Sequence, residues 1–354
     1  MPRNILILGA SYGSLLGTKL LMAGHNVTLV CRRKTADLIN REGTEVRIKL
    51  RDEAGHRAIF SRDLPGTLDA TPPEDVDVSR YDLVGLAMQE PQYNDYSIRL
   101  LMIKISEAKR PCLSLMNMPP LPYLRRIPAL ANMDLEFAYT NAGVWDRFEP
   151  GLVTLCSPDP QAYRPAGEGA NVLHVGLPTN FKAAAFADEA HNQLLRELEA
   201  DIDAVRLDGQ DVPVKLKVFD SLFVPLAKWS MLLTGNYRCV TPEEPQSIRD
   251  AVHSDLARSR AIYEHVDAIA QRLGADPKDQ VPFEKYAKAA ESLLNPSSAA
   301  RAVASGAPFI ERVDVLVKLI SHQLGAPDAE IDRTVRMVDR KLGERVISGG
   351  FGAD

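Results

Sequence analysis

A single lysine, Lys228, lies within an otherwise apolar stretch of the sequence, LFVPLAKWSMLLTGN. A lysine is costly to bury among leucine, tryptophan and methionine side chains unless it is paired or used in chemistry, so this position indicates a catalytic ammonium group. The structural alternative is a lysine that extends its amine to the surface along its apolar stem. Asn236 follows eight residues later, about two helical turns, and shares the face of Lys228 if the helix continues.

An ammonium group with amide side chains beside it suits the reduction of a carbonyl group. When hydride reaches the carbonyl carbon, the oxygen gains negative charge that a nearby cation can stabilise and protonate. Asn117 is a third polar candidate, because it follows a buried strand predicted at 112–116 and precedes the rigid run MPPLP. The alternative is an asparagine that only caps the next segment.

The first 34 residues predict a strand–turn–helix–strand unit. Short apolar runs at 4–8 and 27–30 predict buried strands, and leucines at helical spacing predict a helix over 14–23 that ends at Gly24. Backbone N–H groups at the helix start, with the helix dipole, favour a pyrophosphate. The unit therefore predicts a dinucleotide site. The alternative is a βαβ unit whose glycines only allow close packing.

The predicted dinucleotide site includes four residues of the turn, Gly9, Ser11, Tyr12 and Gly13. Compared with the pattern G-x-G-x-x-G, the turn carries serine at the second glycine position. A side chain at Gly13 is expected to fill the pyrophosphate approach and to strain a backbone of positive φ. The residues also spell G-x-S-x-G, but the nucleophile elbow of serine hydrolases follows other strands and an oxyanion loop, for which position 9 is too early.

The end of the second predicted strand indicates which dinucleotide is bound. NAD sites place an acidic residue there for the ribose hydroxyl, whereas Arg32, Arg33 and Lys34 follow Cys31 here. Cations suit the 2′-phosphate of NADP, and an arginine can bind it bidentately. The sequence therefore favours NADP over NAD. The alternative is a solvated basic turn.

The rest of the pattern predicts an α/β domain followed by a helical domain, with the dinucleotide-binding domain at 1–209 and the helical domain at 210–354. Gln89 follows a central strand predicted at 81–88 and is expected at the cofactor edge of the sheet. Further strands are predicted at 45–50, 56–61, 137–142 and 151–156, a loop at 64–80, and helices at 216–233, 248–273, 283–294, 298–304, 311–324 and 328–345.

Composition argues against nucleic acid and membrane as partners, and the expected partner is a small-molecule substrate. The 354 residues carry a net charge of −5, which implies no broad surface for nucleic acid or anionic membrane, and no apolar run is long enough to span a bilayer. The four cysteines are widely spaced without a C-x-x-C pair, which suits a reducing cytoplasm and suggests no metal site.

These features together resemble the ketopantoate reductases. The opening ILILGASYGSLLGTKLLMAGHNVTLVCRR, the strand-end Asn117, the stretch LAKWSMLLTGN and the helical second half carry the resemblance, which covers nearly the whole chain. It implies a Rossmann-like domain and an all-α domain like the C-terminal domain of 6-phosphogluconate dehydrogenase. It also implies a cytoplasmic homodimer that uses NADPH to reduce a 2-oxo acid or related ketone to the 2-hydroxy acid.

The resemblance implies a role for each matching residue. Arg32 falls where the family places an arginine on the NADP 2′-phosphate, and Asn117 where it places an asparagine near the nicotinamide. Lys228 takes the position of the catalytic lysine. Asn236 matches the second of two asparagines that line the substrate site.

Other family positions differ in this chain. Leu232 stands where the family has the first asparagine. Gln89, or Met88 if the alignment is shifted by one residue, stands where the family has a lysine. Ser297 and Ser298 fit a serine pair, of which Ser298 is the candidate for a substrate oxygen. Glu311 lies one residue after the expected glutamate and is expected to bind substrate in its place.

Two other functions stay open. An opine-type dehydrogenase, which reduces an imine, shares the two-domain layout but usually depends on a catalytic histidine. A non-catalytic NADP(H)-binding sensor is favoured by Leu232 and the displaced glutamate, and disfavoured by Lys228 and Asn117.

Overall fold

The computed structural model describes residues 1–51 and 53–349, and side chains as far as residue 343. The chain divides into two compact units. The first consists of residues 1–88, 92–123 and 143–225, and the second of 89–91, 124–142 and 226 onward.

The strands of the described chain all belong to the first unit. They are β1 (Asn4–Leu8), β2 (Asn26–Val30), β3 (Glu45–Lys49), β4 (His56–Phe60), β5 (Leu68–Thr71), β6 (Leu83–Leu86), β7 (Cys112–Leu115), β8 (Val153–Ser157), β9 (Gln161–Tyr163), β10 (Val172–Leu177), β11 (Phe181–Ala184), β12 (Arg206–Leu207), β13 (Gln210–Asp211) and β14 (Leu216–Phe219). The helices between them are α1 (Tyr12–Met22), α2 (Arg33–Glu42), α3 (Tyr96–Glu107), α4 (Leu121–Leu124) and α5 (Glu189–Ala204).

An eight-stranded sheet forms the core of the first unit, in the order β14-β11-β8-β7-β6-β1-β2-β5. The strands from β8 to β5 in this order run parallel, and β11 joins β8 in the antiparallel sense. The central strands β1 and β6 are buried along almost their whole length, as expected of a parallel sheet covered on both faces. A second sheet has the order β4-β3-β10-β9.

The second unit is helical. After a short helix α6 (Lys228–Met231) the chain forms a π turn (Leu232–Asn236), and then α7 (Ile248–His253), α8 (Leu256–Arg272), α9 (Phe283–Ala290), α10 (Ser298–Ala304), α11 (Val313–Gln323) and α12 (Ala329–Gly349). The π turn packs against α7 and α8, and α11 packs against α12. An α/β first unit and a helical second unit confirm the predicted fold class.

The helix predicted over 216–233 is wrong in its first half. Leu216 and Val218 alternate with less buried neighbours, and this segment forms β14, which pairs in parallel with β11. Pro225 cannot sit in a helix interior, so the α-helix begins only at Lys228. Because β14 completes the large sheet, the first unit extends to Pro225, beyond the boundary predicted after residue 209.

Three other predictions are also wrong. The loop predicted at 64–80 contains β5, a four-residue edge strand too short to show periodicity. The strand predicted at 137–142 forms two 3-10 turns instead, with Phe137 exposed. The helix predicted over 248–273 is interrupted, because the Asp255 side chain caps α8 through the backbone N–H of Arg258 at 2.9 Å.

Along the described residues, no helix combines the length and the apolar character needed to cross a bilayer. The four cysteines are free thiols. No three His, Cys, Asp or Glu side chains in this part of the chain cluster as ligands for a metal ion.

Candidate functional site

The turn after β1 depends on Gly9. Its φ is +105°, and a Cβ there would lie 2.7 Å from the carbonyl oxygen of Ala87 and 2.9 Å from Cγ of Met88. The backbone N–H of Gly9 also donates to the Val30 carbonyl at 2.9 Å. Only glycine fits between these segments, so the turn is held closely against the carboxyl ends of β2 and β6.

Ser11 is the N-cap of α1, which begins at Tyr12, two residues earlier than predicted. Within the described turn the Ser11 hydroxyl bonds no helix N–H, and the first turn of α1 contains no acidic residue. The Ser14 hydroxyl donates to the Ala10 carbonyl at 2.8 Å, which stabilises the turn from inside the helix. The positive end of α1 thus lacks a side-chain cap and is suited to an anion.

Gly13 has a different role from the one that the sequence suggests. It lies inside α1 without a positive φ, and a Cβ there would stand 2.7 Å from Cγ2 of Ile7. The absence of a side chain therefore allows α1 to pack on β1. The expectation that a side chain at Gly13 would fill the pyrophosphate approach is wrong, because that side chain would meet the strand.

The two arginines after β2 have different surroundings. Arg33 is exposed and forms ion pairs with Glu74 at 2.9 Å and with Asp75 at 3.0 Å. Arg32 is the exposed N-cap of α2, and its positive charge contributes to the lowered pKa of Asp95, whose main cause is the hydrogen bond from Ser97. Among residues 1–51 and 53–343, no carboxylate forms an ion pair with Arg32.

Asn117 and Gln89 both follow strands of the large sheet. Asn117 is half-buried, two residues after β7, and so lies at the same carboxyl edge as the glycine turn. Gln89 is exposed and begins the short segment 89–91 that belongs to the second unit.

Lys228 and Asn236 stand at the two ends of α6 and the π turn. Both side chains are half-buried, whereas the residues at 232–235 are buried. In a regular α-helix, two side chains that are eight residues apart point about 80° away from each other around the helix axis. The extra residue of a π turn reduces this angle to about 20°. By ideal helix geometry, the π turn thus favours a shared face for Asn236 and Lys228 more than a regular helix would.

The π turn is stabilised by two side chains. The Tyr286 hydroxyl donates to the Met231 carbonyl at 3.1 Å, and Arg238 donates to the Thr234 carbonyl at 3.1 Å. A Cβ at Gly235 would stand 2.1 Å from the Tyr286 hydroxyl oxygen. Glycine at this position thus makes room for the tyrosine that satisfies a carbonyl of the widened helix.

The predicted serine pair divides into one structural and one exposed residue. Ser297 is buried, caps α10 by accepting from the Ala300 N–H at 3.1 Å, and donates to the Asn236 carbonyl at 2.7 Å. Ser298 is the exposed first residue of α10. The capping serine therefore joins α10 to the end of the π turn, and Ser298 stands beside that junction.

Glu311 lies in the same unit, tied to the chain just after the π turn. The Tyr237 hydroxyl donates to the Glu311 carbonyl at 2.6 Å and accepts from the Val313 N–H at 3.0 Å. The Glu311 carboxylate accepts from the Glu90 N–H at 3.3 Å. The Glu311 side chain thus lies against the backbone of the segment that follows β6.

Glu90 is a buried carboxylate that the sequence reasoning missed. Burial raises its pKa, and hydrogen bonds from the Thr140 backbone N–H at 2.9 Å and hydroxyl at 2.8 Å oppose the shift. A carboxylate four residues after the buried central strand β6 is the signal that could have found it. Arg164 was also missed: its Nη2 donates to the Ala10 carbonyl at 2.9 Å, and no local pattern marks it.

The comparisons with known proteins agree on the fold. No family model matches the chain, and no curated protein matches it significantly in sequence. A PanE/ApbA family ketopantoate reductase from Ralstonia eutropha has a TM-score of 0.67 at 15% identity, with 97% of this chain and 99% of that chain covered. A 2-dehydropantoate 2-reductase from Methylococcus capsulatus has a TM-score of 0.66 at 12% identity, with 99% of this chain and 98% of that chain covered.

A D-mandelate dehydrogenase in complex with NADH is also similar, with a TM-score of 0.61 at 12% identity over 96% of this chain and 99% of that chain. At identities this low, the structural similarity establishes a shared fold and nothing beyond it. The resemblance drawn from the sequence is confirmed at that level: the chain has the fold of the ketopantoate reductases.

Proposed function

We propose that this chain is an NADPH-dependent oxidoreductase, a divergent relative of the ketopantoate reductases that reduces a 2-oxo acid or related ketone to the 2-hydroxy acid. The observation that carries the proposal is the π turn between the half-buried residues Lys228 and Asn236, in a fold shared with such enzymes. The extra residue of this turn favours one common face for the two side chains. The solved neighbours include a ketopantoate reductase described as dimeric, which supports a homodimer here.

The residues of the glycine turn fit a nicotinamide dinucleotide. Gly9 lets the turn lie closely against the carboxyl ends of β2 and β6, and the start of α1 carries neither an acidic residue nor a side-chain cap in the described turn. Ser11, Tyr12 and Gly13 would present backbone N–H groups to the diphosphate. Arg32 is the stronger candidate for the 2′-phosphate of NADP, because Arg33 is already engaged by two carboxylates.

In this proposal Lys228 is the acid of the reaction. When bound, NADPH supplies the hydride. The Lys228 ammonium stabilises the charge that develops on the substrate oxygen and donates a proton to it. Asn236 and Asn117 orient the carbonyl group by donating hydrogen bonds. Glu311 accepts from a substrate hydroxyl.

Ser298 and Gln89 are weaker candidates. Both side chains are exposed, Ser298 beside the junction of α10 with the π turn and Gln89 at the end of the strand that leads into the second unit. We assign Ser298 to a substrate oxygen and Gln89 to the cofactor.

NADPH oxidation measured against a panel of 2-oxo acids, with and without amines, tests the reaction class. Turnover of a 2-oxo acid alone supports the proposal. Turnover that needs an amine would point to an opine-type dehydrogenase, and NADPH binding without turnover of any substrate would point to a sensor. Several histidines already have structural partners: His56, His253 and His265 bond backbone carbonyls, and His322 pairs with Asp332.

Substitution of Lys228 tests the assigned acid. Lys228→Met keeps the apolar stem and removes the charge, so kcat should fall by roughly 10²–10⁴ with NADPH affinity unchanged. Lys285→Met, at an exposed position on α9, is the matched control. Turnover of the Lys228→Met variant equal to that of the control would remove Lys228 from the mechanism.

A further inference from the structure

Arg164 extends from the smaller sheet to the glycine turn of the larger one. It directly follows β9, and its Nη2 donates to the Ala10 carbonyl, between Gly9 and Ser11, at 2.9 Å. Burial raises the pKa of the Cys31 thiol to about 11, and the positive charge of Arg164 opposes that shift. The guanidinium therefore stands near both the turn after β1 and the end of β2.

Two contacts hold the segment that carries Arg164 in place. Its preceding residue, Tyr163, pairs with His174 of β10. Four residues after it, Glu168 forms a two-point ion pair with Arg47 of β3, with distances of 2.8 and 2.6 Å. Arg164 is thus presented to the turn by a segment that is anchored on both sides.

The charge of Arg164 is not balanced by a protein carboxylate. Other arginines of the first unit have such partners: Arg33 pairs with two acids, Arg47 with Glu168, and Arg57 with Glu53. Within residues 1–51 and 53–343, the Ala10 carbonyl is the only hydrogen-bond acceptor found for Arg164, and the residue is exposed. A guanidinium carries five N–H donors, so most remain available for an anion beside the start of α1.

We propose that Arg164 binds the diphosphate of the dinucleotide, as a second source of charge beside Arg32. The inference rests on the proposed cofactor site. Arg164 contacts the turn that precedes α1, where a diphosphate would lie. Arg32 follows the end of β2, where the 2′-phosphate would lie. The two arginines therefore act on different phosphates of one ligand.

This assignment predicts a specific pattern of affinities. NADPH and NADH share the diphosphate, so Arg164→Gln should weaken the binding of both by a similar factor, roughly ten- to hundredfold. Arg32→Gln should weaken NADPH selectively, because NADH lacks the 2′-phosphate. Glutamine is shorter than arginine, so Arg164→Gln removes the positive charge together with the bond to the Ala10 carbonyl. Arg164→Lys keeps a positive charge at this position and should retain most of the affinity that Arg164→Gln loses.

The test is the dissociation constant of NADPH and of NADH, measured by fluorescence titration of the full chain. Arg80→Gln is the matched control, since Arg80 is exposed and precedes β6 at the opposite edge of the sheet. Affinities of Arg164→Gln within twofold of the control would overturn the proposal, and so would loss of NADPH affinity alone. A wild-type chain that binds neither nucleotide would instead overturn the proposed cofactor site itself.

Discussion

The contact between Gly235 and Tyr286 predicts strong coupling between two substitutions in the second unit. In Gly235→Ala the new methyl group would start 2.1 Å from the Tyr286 hydroxyl oxygen, which donates to the Met231 carbonyl. Displacing a buried tyrosine costs about 1–3 kcal/mol as overpacking, and the lost hydrogen bond adds about 1 kcal/mol. Alanine recovers about 1 kcal/mol of helix propensity, so the net cost is about 2 kcal/mol.

Removing the hydroxyl group should relieve most of this cost. Tyr286→Phe alone loses the hydrogen bond to Met231, at about 1 kcal/mol. With phenylalanine at 286, the closest atoms to the new methyl would be Cγ2 of Ile248 at 3.1 Å and the ring carbon Cζ at 3.4 Å. The double variant should therefore cost about 1 kcal/mol, although the single costs sum to about 3 kcal/mol.

The assay is urea denaturation of the wild type, both single variants and the double variant. A coupling free energy of about 2 kcal/mol is expected, far above the deviation from additivity seen for independent sites. Additivity within about 0.5 kcal/mol would show that the hydroxyl group is not what excludes a side chain at 235. The π turn would then need another explanation.

Two further predictions concern the first unit. Gly13→Val should destabilise the fold by about 3 kcal/mol or more, because its Cβ would stand 2.7 Å from Cγ2 of Ile7. Urea denaturation measures this loss of stability. A stable variant that only loses NADPH affinity would contradict the prediction. Burial lowers the pKa of Lys19 from 10.5 to about 7, so the unfolded chain binds more protons between these values and stability should rise with pH across that window. Lys19→Met lacks this gain, so the unfolding free energy of the wild type should increase relative to that of the variant as pH rises from about 7 to about 10. A constant difference would refute the assignment.

Elements of both units were predictable from the sequence where the signal is local. β1 was predicted with its observed bounds, because its apolar run and the following glycine define both ends. α10 was likewise predicted with its observed bounds, and its start is fixed by the Ser297 cap. In both cases the residues that determine the element lie within it or next to it.

Elements that depend on distant partners were not predictable in the same way. β14 was taken for a helix because its apolar residues continue into a longer apolar stretch, and its pairing with β11 is a contact across more than thirty residues. Arg164 and Tyr286 could not be predicted as site residues for the same reason. Each is an ordinary residue in the sequence, and its partner, Ala10 or Met231, is brought to it only by the fold.

The π turn also bears on the leucine found where the resemblance leads one to expect an asparagine. Leu232 is 4% exposed, so an amide at that position would need a hydrogen-bond partner inside the protein. Asn236 is half-buried at the end of the π turn. In ideal helix geometry, one extra residue would bring its direction to within about 20° of that of Lys228. A single amide can thus serve beside the lysine, and its direction depends on the widened turn. The identity of residue 232 and the geometry of residues 232–236 therefore have to be considered together, because a leucine at the first position is compatible with the proposed chemistry only while the turn keeps Asn236 on that face.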